Sequence, residues 1–165
     1  MTLRDFLIAE FDAEAASTRA MIGRAPDRSF DWQPHAKSMT LGALVTHLSL
    51  IPRWGRAILT REGYDFVRDA GPGPEPHRSL AAALAAFDMN LADVRREFES
   101  KADAELTAIW TLSRDDRVLM TMPRVTAWRR MFLNHLIHHR GQLSVYLRLL
   151  DVPVPPTYGP TADES

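Results

Sequence analysis

The sequence predicts an all-α protein, a four-helix bundle with long crossovers, and three observations predict it. Four segments of roughly 20 residues or more repeat apolar residues at helical spacing, each along a single seam. Polar and proline-bearing stretches separate them. The 165 residues, 45% hydrophobic and 25% charged, match one ordinary globular domain with enough chain to bury a core. Amphipathic helices with one apolar face each bury those faces most economically against one another. Residues 1–165 are therefore expected to form a single domain.

The first segment, residues 2–23, carries Leu3, Phe6, Leu7, Phe11, Ala15 and Ile22 on its apolar side and ends before Pro26. The second begins near Thr40, a residue type that caps helix N-termini. Its seam is Leu44, His47, Ile51, Trp54 and Ile58, in steps of three and four, and Pro52 inside it predicts a kink or break. The third, residues 79–101, has the cleanest pattern in Leu80, Leu84, Phe87, Leu91, Val94 and Phe98. The fourth, residues 123–150, places Trp128, Phe132, His135, His139, Leu143, Tyr146 and Leu150 on its stripe. Between the second and third lies "TREGYDFVRDAGPGPEPHR", far longer than a helical hairpin needs. A linker of that length can travel the length of a helix, which favours an up-down-down-up arrangement. Residues 109–122, "IWTLSRDDRVLMTM", alternate on either side of "RDD", the pattern of a short β-hairpin excursion before the last helix. The closing "VPVPPTYGPTADES" has too many prolines for a helix and is expected along the surface.

Composition narrows the function classes. A formal charge of −1 gives no net field to recruit nucleic acid or an acidic membrane. No array of aromatic and basic residues stands out to suggest nucleic-acid binding. Without cysteine there is no disulfide, no thiolate ligand and no cysteine nucleophile, which fits a reducing cytoplasm. The opening "MTLRDFLIAEFDAE" has acids where a signal peptide needs a basic flank and an unbroken apolar run. No segment approaches the roughly 20 apolar residues of a membrane span. A cytoplasmic protein acting without membrane or nucleic-acid partners is expected.

The stretch "LNHLIHHRGQL", residues 133–143, holds three of the six histidines. Residues four apart on an α-helix differ by about 40° around its axis, so His135 and His139 point the same way, onto the apolar stripe. His47 occupies the inward seam of the second helix. A lone seam histidine is more often a core residue bonded to a backbone carbonyl, and the pair alone fits a hydrogen-bonded core as well as a metal. Three inward imidazoles without partners would be costly, whereas one metal ion uses all three lone pairs. His47, His135 and His139 are thus the candidate ligands of a single ion. Neither a zincin motif nor paired Glu-x-x-His motifs of a di-iron bundle are present. Gln142, three positions past His139, is a candidate to orient a ligand or touch substrate, and equally an ordinary surface residue. His138 is expected beside the ligands or exposed, and His77 in solvent. His35 is expected in solvent or at the site's mouth, and Arg140 paired with a carboxylate.

These residues resemble a known family. "HHRGQL" after an inward histidine, the upstream "LGALVTHLS", the approach "FDWQPHAKSMTLG" and the closing "VPVPPTYGPTADE" are similar to the DinB family, which includes YfiT-like and bacillithiol-transferase-like proteins. The resemblance spans essentially the whole chain. It implies a helical bundle with long crossovers, often a homodimer, and a divalent ion, commonly zinc or nickel, on three histidines. By motif those are again His47, His135 and His139. It further implies a metal-dependent transferase that joins a low-molecular-weight thiol to an electrophilic small molecule. An ion lowers a thiol's pKa and presents a thiolate. The alternatives are a hydrolase using a metal-bound water, which needs the same ligands, and a non-catalytic, metal-stabilised dimeric stress-response module.

Overall fold

The computed structural model describes residues 2–164. Helix α1 (Leu3–Ile22) starts where Thr2 and Asp5 bond reciprocally, side chain to backbone, both at 3.1 Å. Helix α2 (Leu41–Leu50) begins after Thr40, whose hydroxyl accepts from the Ala43 N–H at 3.2 Å. The chain breaks at Ile51 and resumes as α3 (Pro52–Thr60), with Pro52 in the first turn, where a missing N–H leaves no bond unmade. Helix α4 (Leu80–Glu99) is capped by Ser79 accepting from Ala82 at 3.2 Å, and a short α5 (Asp103–Thr107) follows. The last helical stretch is α6 (Arg124–Trp128), a π-helical turn (Arg129–Leu133) and α7 (Asn134–Leu149).

Side-chain pairs fix the directions. Asp12 meets Arg95 and Arg19 meets Asp88, so α1 and α4 run oppositely. Asn90 donates to the Ser49 carbonyl and Arg56 pairs with Glu97, so α2, α3 and α4 run together. Tyr146 donates to the Met39 carbonyl while Arg124 donates to that of Ile58, which sets α6 and α7 against α2 and α3. Inside, Phe11, Phe98, Trp128 and Phe132 pack with ring centroids 4.8 to 6.1 Å apart. Gly55 lets α3 approach the π-helical turn, because a Cβ there would lie 2.8 Å from the Phe132 ring.

The fold is not the all-α four-helix bundle that the periodicities predict. Strands β1 (Gly63–Asp65), β2 (Ile109–Arg114) and β3 (Arg117–Pro123) form a mixed sheet in the order β1-β2-β3. Strands β2 and β3 form an antiparallel hairpin, and β1, from within the long crossover, adds to β2 in parallel. Three residues are too few to show a period of two, and a parallel partner distant in sequence leaves no local mark. The junction is organised by Asp65, which is fully buried. One carboxylate oxygen accepts from the N–H groups of Val67, Arg68 and Asp115 at 2.8, 3.0 and 3.2 Å. The other accepts from the Ser113 hydroxyl and the Asp116 N–H at 2.8 and 3.0 Å. Asp115 and Asp116, at φ 53° and 59°, supply the two left-handed positions of a tight hairpin turn. Asp65 therefore ties the crossover to the hairpin and fixes the position of its neighbours Tyr64 and Phe66, whose rings lie 6.0 Å apart. No helix among the described residues is long and apolar enough to cross a membrane.

Candidate metal centre

His47 sits in the last turn of α2, four residues before the break at Ile51 that Pro52 follows. His135 and His139 lie in the first turns of α7, directly after the π-helical turn. Because α7 runs against α2, the start of one faces the end of the other, and the three rings meet. The His139 and His135 Nε2 atoms are 2.8 Å apart, and those of His47 and His135 are 3.2 Å apart. One ligand nitrogen from each ring falls within 4.8 Å of the other two, a group that could hold a metal ion.

The hydrogen bonds around the rings decide what meets there. Gln142 Oε1 lies 2.6 Å from His139 Nδ1 and accepts its proton, which leaves Nε2 as a bare lone pair in a neutral ring. The Met131 backbone, one turn before His135, opposes the lowering of its pKa by burial. Lone pairs brought this close repel unless a cation or proton lies among them. A metal fits this donor set, with the outer nitrogen of His139 bonded as that of a ligand imidazole usually is. Burial favours neutral rings. It pushes His47 down to about 4, helped by the nearby His139 and His135. Burial also lowers His135, reinforced by His139, and lowers His139 against the raising effect of its bond to Gln142. Neutral imidazole is the form that binds metal.

The cluster stands at the edge of the core rather than its centre: His139 is buried, but His47 and His135 are only half-buried. A cavity of about 450 Å³ opens against His135, lined by Trp54, Phe66, Arg130, Met131, Asn134 and His138. A second, of about 320 Å³, opens against His47 beneath Tyr64 and residues 70–74 of the crossover. Trp54 lines both, its ring 4.5 Å from that of Tyr64 and 5.7 Å from that of Phe66.

Other singled-out residues fall elsewhere. His35 is exposed and accepts from the Lys37 N–H in its own loop, away from both cavities. His77 is not in solvent: its ring contacts Ser49 Oγ at 3.1 Å and its N–H donates to Thr46, docking the crossover on α2. His138 is exposed and borders the larger cavity. Arg140 is buried and pairs with Glu14 at 2.7 Å, while Tyr158 of the tail bonds to both. Sequence reasoning missed Asp65, Phe66, Arg130 and Asn134. No local pattern marks the first two, because a three-residue strand is too short to show an alternation.

The DinB family profile matches residues 2–165. A DinB-like protein from Bacillus cereus ATCC 10987 is similar in structure, with a TM-score of 0.67 at 23% identity over 92% of this chain and 95% of that one. A DinB-like protein from Bacillus subtilis gives 0.68 at 15% identity with the same coverage of each. At such identities the likeness is one of fold. Comparison with curated proteins finds no match. With the profile spanning the chain, including the histidine cluster and the tail held by Arg140, the chain belongs to the DinB family.

Proposed function

We propose that the chain is a metal-dependent enzyme that holds one divalent ion, zinc or nickel, on His47, His135 and His139. We further propose that it transfers a low-molecular-weight thiol to electrophilic small molecules. The observation that carries the reading is the meeting of three imidazole nitrogens beside an accessible cavity. A closed structural site has four protein ligands, whereas three histidines beside open space match catalytic sites. Imidazole donors suit zinc and nickel. An ion there would supply Lewis acidity that lowers the pKa of a thiol. The chain's own residues do the rest. Gln142 holds the His139 ring in orientation, and Trp54, Phe66 and Met131 give the larger cavity an apolar wall. Family membership supports the metal, and the thiol chemistry and a homodimer follow from the family resemblance.

The test is metal analysis of the purified protein, followed by monochlorobimane conjugation with bacillithiol, mycothiol and glutathione. About one ion per chain, mostly lost in His135→Ala, and a metal-dependent rate with one thiol are expected. Wild-type protein that binds no divalent ion would overturn the reading. A bound ion with no metal-dependent thiol transfer would overturn the transferase assignment and leave hydrolysis or a structural ion.

A further inference from the structure

We propose that the cavity beside His135 takes a small molecule with an apolar, ring-sized body and a carboxylate, and that Arg130 reads the carboxylate. The proposal rests on reading the histidine cluster as the reactive site.

The π-helical turn is the first observation. In a regular α-helix, residues five apart sit about 140° from each other around the axis, so Arg130 and His135 would face different surroundings. Here the Asn134 N–H bonds to the Arg129 carbonyl five residues back, and the wider turn brings such residues toward one face. Arg130 and His135 consequently line the same cavity. Inserted turns of this kind recur at functional sites.

The second observation is the division of charge between two neighbouring arginines. Arg129 is engaged by Glu10 at 2.8 Å. Arg130 makes no ion pair or side-chain hydrogen bond among the described residues and sits on the cavity wall. The rest of that wall is Trp54, Phe66 and Met131, with Asn134 and His138 as its polar members. Arg130 is exposed on that wall, and a guanidinium binds a carboxylate through two parallel, charge-assisted bonds. The volume of about 450 Å³ is ordinary for a small-molecule pocket. Arg53, Arg56 and Arg61 line other cavities, so this one offers a single guanidinium, suited to a monoanion rather than a phosphate dianion.

Isothermal titration of 2-naphthoate and 2-naphthamide tests this, with metal-loaded and chelator-dialysed protein of wild type, Arg130→Gln and Arg130→Lys. Circular dichroism confirms that each variant folds. The acid should bind wild type about tenfold more tightly than the amide with or without metal, the ratio expected for one charge-assisted contact. Arg130→Gln should bind both within about twofold, and Arg130→Lys should fall between, because an ammonium lacks the fork. Equal binding of acid and amide by wild type would overturn the proposal. So would a preference that persists in Arg130→Gln, or one that appears only with metal, since the ion would then be the reader. Metal content measured on the same samples reports on the histidine cluster separately, so either reading fails without the other.

Discussion

Removing the Gln142 carbonyl tests how the candidate centre is held. Its Oε1 accepts the His139 Nδ1 proton at 2.6 Å, and that bond keeps the His139 Nε2 lone pair aimed at His135, 2.8 Å away. Gln142→Leu leaves the Nδ1–H without a fixed partner, so the ring samples other orientations and the other tautomer. Loss of such an outer partner weakens metal binding by about 10- to 100-fold. At about 1.4 kcal/mol per decade, that is about 1.4 to 2.8 kcal/mol. Gln142→Glu keeps an acceptor and makes the bond charge-assisted, so zinc affinity should equal or exceed wild type. Competition with a fluorescent chelator at fixed pH measures both. Because Gln142 is exposed, unfolding of the metal-free variants should stay within about 0.5 kcal/mol of wild type, separating affinity from stability. A leucine variant with zinc affinity within about twofold of wild type would refute the argument. A glutamate variant as weak as the leucine variant would do the same.

Two further predictions concern the frame. Glu14→Gln leaves buried Arg140 without the carboxylate that it meets at 2.7 Å; breaking such a pair costs about 3 to 5 kcal/mol. For a domain of this size Tm should fall by about 6 to 20 °C in a thermal melt, and an unchanged Tm would show that the pair contributes nothing. Asp65 governs acid stability. The N–H of Arg68 foremost, then those of Val67 and Asp116 and the Ser113 hydroxyl, hold its carboxyl far below the usual range despite burial. Unfolded aspartate takes a proton near pH 3.9 while native Asp65 does not, so its contribution is complete above about pH 4 and declines as pH falls below it. Urea midpoints should drop more steeply for wild type than for Asp65→Asn over that window, and parallel curves would count against the assignment.

What the sequence determined by itself is what neighbours along the chain decide. Thr2, Thr40 and Ser79 cap helices because each hydroxyl bonds an N–H three residues on, a contact legible in the order of residues. Pro52 breaks its helix through its own ring. His135 and His139 share a face through the pitch of one helix. Tertiary structure decided everything that joins distant segments. The alternation of residues 109–122 marked the β2–β3 hairpin, but strand β1 has no identity until it lies beside β2, so the three-stranded sheet could not be seen. The five ligands of Asp65 come from two loops far apart in sequence, and composition gives a buried aspartate no mark. Whether His47 reaches the α7 pair, and whether Arg130 turns toward them, depends on antiparallel packing and an inserted π-helical turn. Periodicity reports which face of an element is apolar, but the separation between two faces is set only when the helices close on one another.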